Sequence, residues 1–440
     1  MSGYLKRIFP IFLAVTLFAT VIMLCCVRKG ENKIQMTAGI SNSNSNSNSN
    51  SNENSGEVLY DPNANPQTKS KNHVFHKGEM RGIWIPYFNL SDGNIPMSEE
   101  QFKKHFDEII RTSKEHGINT LFVHVRSHCD AAYPSEIFPF ANVFTGNSDI
   151  TPDYDPLEYM IKAAHKAGLE FHAWLNPFRV ISDAEKIALS ANSPCYRWLH
   201  DDNLSNDRNL IECNGGLYLN PSKPEARSLI IRGVRELVNN YDIDGIHLDD
   251  YFYMFTESEY DSEDYNEYLS TLDDSSNALP LIQWRCTNIN ILISGIYAVV
   301  KNADDNTLFG ISPQGNMEND INMGADVYSW CSLYGYVDYI APQIYTNSDN
   351  PLLPYEDTVE EWKNIITNDR IKLYIGLALY KAGSEDDNGT WLNSDDIISR
   401  QIEYARSSNT DGFILYSWEY LNNEQTSAEV TNIENIINNI

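Results

Sequence analysis

The chain has 440 residues, enough for one large catalytic domain behind a tether and a poor fit to two equal domains. Its 61 acidic against 32 basic residues give a formal charge of −29, which repels nucleic acid and excludes it as a partner. Seven cysteines without a CxxC or Cys/His spacing exclude a disulfide-dense scaffold and a structural zinc site.

At the N-terminus, Lys6-Arg7 precedes the apolar run Ile8 to Leu24, the pattern of a signal peptide or short membrane anchor. Residues 1–30 are therefore expected to take the protein out of the cytoplasm and hold it at the cell membrane or cell surface. Cys25 and Cys26 stand where a lipoprotein cysteine would, but behind the bulky Ile22, Met23 and Leu24. Lipid anchoring, an uncleaved signal anchor and simple secretion all stay open. Residues 31–76, with the repeat SNSNSNSN from Ser41, have almost nothing apolar to bury and predict a flexible spacer. The folded domain is expected from Lys77 to Ile440.

In that domain eight short runs rich in β-branched and aromatic residues alternate with longer amphipathic stretches. The runs begin at Met80, Asn119, Leu169, Asp244, Thr307, Val337, Lys372 and Asp411. Phe102, Phe106, Ile109 and Ile110 have helical spacing, and that stretch stops at Gly117. The segments from Pro156 and Lys223 repeat the form, and the C-terminal stretch from Glu429 predicts a last helix. Eight strands alternating with helices predict an α/β fold, the (β/α)8 or TIM barrel. An open doubly wound sheet stays as an alternative, though no glycine-rich phosphate loop follows any strand, which counts against nucleotide binding. The acidic stretch Glu257 to Asp274 reads as a solvated loop or helix, with calcium binding a weak alternative. Five cysteines lie in the domain, so at least one thiol is free; a Cys195–Cys213 disulfide stays open.

Chemistry in such a barrel sits at the C-terminal strand ends. The two-residue period of a strand puts His124 with Arg126, His172 with Trp174 and Asn176, and His247 with Asp249 and Tyr251 on one face each. Later strands end in Gln314, in Gln343 and Tyr345, and in Trp418 and Glu419. Asp249-Asp250, at the mouth of the fourth strand, is the sharpest signal, because glycosidic cleavage uses carboxyl groups as proton donor, base or nucleophile. The second carboxyl is left open among Asp130, Glu318, Asp320, Asp349 and Glu419, and with it the stereochemical outcome. The 26 Tyr and 8 Trp include candidates for stacking on sugar rings, Trp174 and Trp418 first among them.

These residues, with the motifs MRGIWI, VRSHCDAAYPSEIFPF, YDIDGIHLDDYFY, FGISPQG, DYIAPQIY and YIGLALYKAG, resemble the bacterial glycosyl-hydrolase-like family ten from about Met80 to Leu421. The resemblance implies that Arg126, Asp130, His172, Trp174, Asn176, His247, Asp249, Asp250, Tyr251, Gln343 and Tyr345 line the substrate cleft. It also implies a bacterial cell-wall glycan as the polysaccharide substrate. Two departures stand out: Gln314 and Glu318 where the family has a hydrophobic residue and an Arg, and Thr346 where it has Trp. More loosely, DIDGIHLDDY is similar to the fourth-strand signature of chitinase-type barrels, with Tyr251 in place of their proton-donating Glu.

The leading expectation is a monomeric glycoside hydrolase using Asp249 and Asp250, with no cofactor and no metal. A carbohydrate-binding barrel that has lost its chemistry is the alternative motivated by Glu318 and Thr346. A metal-dependent hydrolase using His124, His172 and His247 is a third reading, opposed by Arg126 and Arg179.

Overall fold

Eight parallel strands close into a barrel in chain order: β1 (Met80–Ile85), β2 (Thr120–Arg126), β3 (Glu170–Leu175), β4 (Gly245–Leu248), β5 (Leu308–Ile311), β6 (Tyr339–Ile340), β7 (Lys372–Leu377) and β8 (Gly412–Leu415). Each falls in one of the eight apolar runs, and closure pairs Gly412 of β8 with Met80 of β1. The computed structural model describes residues 71, 73–74, 78–91, 96–182 and 189–438. The expected leader and most of the expected spacer lie outside the described residues.

The outer ring is set by helices whose ends are written locally. Helix α1 (Glu99–Glu115) starts with a capping box between Ser98 and Gln101 and turns Phe102, Phe106 and Ile109 onto the barrel. α2 (Pro156–Lys166) and α3 (Pro224–Asn240) both open with proline at the first helical position, where no N–H is missed. α4 (Leu281–Ala303), α5 (Val327–Ser332), α6 (Tyr355–Ile365) and α7 (Ile397–Ser407) follow the later strands. The expected last helix is α8 (Ser427–Asn438). It docks on the end of α1, where Gly117 has φ +74° and a Cβ would lie 2.8 Å from Ile437.

Two excursions differ from expectation. Between β3 and α3 lies a three-stranded antiparallel sheet of Arg179–Ile181, Leu210–Cys213 and Gly216–Leu219. Its hairpin turns on Asn214-Gly215, both with positive φ. The acidic stretch after β4 carries the short helix Ser262–Ser270 with most of its acids exposed, as expected, but Asp261 and Asp264 are buried. Arg285 on α4 grips Asp261 through two nitrogens at 2.7 and 2.8 Å, both side chains buried. Asp264 bonds Arg208, Lys223 and Asn220.

Contacts with the barrel also begin ahead of the expected boundary at Lys77. At the foot of the strands Asp244 accepts hydrogen bonds from the Phe171 N–H (2.7 Å), the Val74 N–H (3.0 Å) and the His165 ring (2.8 Å). His73 bridges Asp244 (3.3 Å) and Asp304 (2.9 Å). Its hydrogen bond to Asp244 raises its pKa, so its contribution is full below the ordinary histidine value and fades as pH rises through the raised one. His73→Ala should therefore destabilise more at about pH 5.5 than at about pH 8.5. Urea midpoints at the two pH values check this, and an equal loss at both sinks it.

Candidate active site

The barrel interior is filled in layers by inward side chains. In the lower layer Phe122 of β2, His172 of β3, His247 of β4 and Tyr339 of β6 lie nearly without solvent contact. Room for these rings comes from glycine: a Cβ at Gly245 would overlap the His172 imidazole, and one at Gly310 the Tyr339 ring. Trp84 Nε1–H donates to His247 Nε2 (3.2 Å), which puts the imidazole proton on Nδ1, facing the Tyr339 hydroxyl (3.0 Å). That hydroxyl then donates to His172 Nδ1 (3.1 Å), leaving the second histidine's proton on Nε2, 3.5 Å from Glu170. Burial holds the pKa of His247 well below the usual histidine value, so it stays neutral.

Above this plug opens a cavity of about 390 Å³ lined by Trp84, Pro86, Tyr87, Phe88, His124, Trp174, Arg179, Asp249, Asp250, Tyr251, Ser312, Gln343, Tyr345, Tyr380 and Tyr416. β4 ends at Leu248, so Asp249 and Asp250 stand at its mouth. Asp249 Oδ2 accepts from Trp174 Nε1 (3.1 Å) and Asn176 Nδ2 (3.2 Å). The orientation of Asn176 is itself set, because its Oδ1 accepts the Arg179 N–H at 2.9 Å. Oδ1 of Asp249 is buried without a protein partner. Burial, then the charge of Asp250, pushes the Asp249 carboxyl up to about 7. Asp250 accepts from Gln343 Nε2 (3.2 Å), and burial raises its pKa too. Arg179, lying over the Tyr251 ring with its Nε on Ser127 O (2.8 Å), favours the ionised form of both. Across from the carboxyls, Tyr345, Tyr380 and Tyr416 pack with ring centroids 6.0 Å apart in each pair.

Six of the expected site residues thus share this cavity: Trp174, Asp249, Asp250, Tyr251, Gln343 and Tyr345. Asn176 stands behind Asp249 as its support. The others are corrected. His172 and His247 lie beneath the floor and act on Trp84 through hydrogen bonds, because alternation gives a residue's face and not its depth. Arg126 faces away from the cavity: the β2–β3 register shifts between His124 and Arg126, and one extra residue turns the pleat over. Its guanidinium donates to Asn176 O (3.0 Å) and Pro177 O (2.7 Å) and lies over Phe138. Asp130 lines a second cavity of about 600 Å³ beyond Tyr87, where burial raises its carboxyl to about 6. Trp418 packs edge-on against His105 of α1 and does not line the cavity, so it is no stacking platform there.

Among the described residues, the carboxylates lining the cavity are Asp249 and Asp250. Asp320 accepts the Gln314 N–H (3.0 Å) and Asp349 bonds Asn393 (3.0 Å), while Glu318 and Glu419 also lie off the lining. The three strand histidines do not converge on one point: His124 stacks on Trp174 at 3.8 Å, while the other two share the Tyr339 hydroxyl. No group of three metal-ligating side chains is present among the described residues. Missed from sequence were Trp84, Tyr380 and Tyr416, and Arg179 enters the sequence reading only as a charge opposing a metal; period-two alternation from Gly82 and Ile414 points to Trp84 and Tyr416.

Residues 79–393 match the family model described as Glycosyl hydrolase-like 10. Glycosyl hydrolase YngK of Bacillus subtilis (strain 168) is 32% identical over 353 residues, covering 75% of this chain and 67% of that protein. Glycosyl hydrolase DigH of Escherichia coli (strain K12) is 29% identical over 388 residues, covering 81% and 86%. Among solved structures, the PgaB (BpsB) glycoside hydrolase domain of Bordetella bronchiseptica superposes with a TM-score of 0.52 at 15% identity, covering 80% of this chain and 98% of that one. The catalytic domain of a β-amylase from Paenibacillus polymyxa gives 0.52 at 12% identity, covering 82% and 98%. At such identities these two likenesses show the barrel fold. The family match over most of the domain shows more: the chain belongs to the glycosyl hydrolase-like 10 family, which supports a glycoside hydrolase-type function.

Proposed function

We propose that the protein hydrolyses a bacterial cell-wall glycan, a peptidoglycan-type polymer of β-linked amino sugars. The observation that carries this reading is the Asp249–Asp250 pair in one aromatic-walled cavity, with the Asp249 carboxyl raised to about 7 so that its acid form persists toward neutral pH. Two donors occupy Asp249 Oδ2, so the proton sits on Oδ1, the oxygen without a partner. It passes to the glycosidic oxygen as the C–O bond breaks. Asp250, oriented by Gln343, takes the proton of the water that attacks the anomeric carbon. Trp84, Trp174 and the three tyrosines offer faces for the apolar C–H surfaces of the sugar rings.

The wall glycan follows from the resemblance to family ten and from the expected export. The protein acts outside the cytoplasm as a monomer, held through residues 1–30, which lie outside the described residues. Among the described residues no helix is long and apolar enough to cross a membrane. Gln314, Glu318 and Thr346, the departures that motivate the binding-only alternative, do not line the cavity wall, although Gln314 bridges Gln343 and Thr346 follows Tyr345.

Peptide-free wall glycan incubated with the full chain should release new reducing ends, and the Asp249→Asn/Asp250→Asn double variant should release none. Equal turnover by the double variant overturns the assignment. Retention of glycan oligomers with no product from the unaltered protein supports the binding-only reading instead.

A further inference from the structure

The sequence leaves Cys195 open to pairing with Cys213, but the structure brings it to another partner. Cys195 Sγ lies 3.5 Å from Cys129 Sγ, and both residues are buried. Cys129 sits in the loop that leaves β2, next to Asp130. Cys195 sits in the first turn of the helix Pro194–His200, in the excursion after β3. The two positions are 66 residues apart in the chain, so they are neighbours through folding alone. Cys286, by contrast, donates to Ile321 O at 3.8 Å. Cys129 also lines the second cavity, which gives a small reagent a route to a pair otherwise shut off from solvent.

We propose that Cys129 and Cys195 form a disulfide that ties the β2 loop to the excursion and fixes the shared wall of the second cavity. Bond formation draws the sulfurs from 3.5 Å to about 2.0 Å, a shift within reach of side-chain rotation. The oxidant is a small disulfide, or a thiol–disulfide oxidoreductase acting while the chain folds. The Cys129 thiolate attacks its sulfur and expels one thiol, then the Cys195 thiolate attacks the mixed disulfide and expels the second. Two thiols are oxidised and one external disulfide is reduced. Closing a loop of this length restricts the unfolded chain, and the link holds beside Asp130 and Arg179 two elements that otherwise meet through side chains.

The test uses the full chain in detergent, equilibrated with oxidised and reduced glutathione, alkylated without reductant and digested. The expected map holds one linked pair of peptides, carrying Cys129 and Cys195 and lighter by two hydrogen atoms than the sum of its reduced parts. Dithiothreitol should then lower the melting temperature of the unaltered protein by about 5 °C. Neither Cys129→Ala nor Cys195→Ala should show that sensitivity. Full alkylation of both thiols, or a peptide linking Cys195 to Cys213, overturns the proposal. The readout is mass and melting temperature, so it stands or falls apart from the glycan assignment.

Discussion

Asp249→Asn should slow glycan cleavage by roughly 10³-fold while the fold survives, because it removes the proton donor and keeps the shape. The pH profile carries the sharper check. Burial and the neighbouring Asp250 raise the Asp249 pKa to about 7, so its acid form is plentiful below that value and declines above it. The rate should fall about tenfold per pH unit on the alkaline side. Asp250→Asn removes the like charge next door, so in that variant the alkaline limb of the residual activity should move to lower pH. A limb that stays in place would sink the assignment of Asp249 as the acid.

Stability offers an independent reading of the same group. A carboxyl whose pKa rises on folding favours the folded state fully at pH values below its ordinary 3.8, and that advantage is lost as pH climbs toward about 7. At about pH 8 the ionised Asp249 is therefore a liability of the order of 2–4 kcal/mol, since each tenfold weakening of an acid is worth about 1.4 kcal/mol. Asp249→Asn should unfold at higher denaturant than the unaltered protein at about pH 8 and show no such gain at about pH 4. Equal midpoints at both pH values would show that the carboxyl is not held protonated by burial.

Arg285→Ala should lower stability by about 3–5 kcal/mol, the largest effect expected outside the cavity. Arg285 also donates to Thr256 O and Glu257 O, both at 3.0 Å, and lies over the adjoining rings of Tyr253 and Phe255. Truncation leaves the buried Asp261 carboxylate with its charge uncompensated. Adding Asp261→Asn to Arg285→Ala should recover part of the loss, since the stranded charge is then gone. Urea unfolding of the two single variants and the double measures this coupling, and a loss below about 1 kcal/mol for Arg285→Ala would show the pair to be incidental.

The barrel was readable because each strand is a short apolar run between an amphipathic helix and a turn, and that rhythm survives without any knowledge of contacts. Asp249 and Asp250 were readable for a related reason: a strand that ends in two acids has few structural uses for them. What escaped depends on three dimensions. Arg126 follows His124 by two residues, and nothing local announces that the pairing with β3 slips between them. Among the acids from Glu257 onward, nothing local sets Asp261 and Asp264 apart from their exposed neighbours until Arg285 and Arg208 arrive from elsewhere in the chain. The Asn214-Gly215 turn, by contrast, is a hairpin signal that local reading can find.

The packed rings of Phe122, His172, His247 and Tyr339 stopper the barrel from below. Asp249 faces the cavity above them. On the proposed reading, a glycan seated over Asp249 would screen the acid from recharging until product leaves, so each turnover would begin with the proton Asp249 held when the glycan settled in.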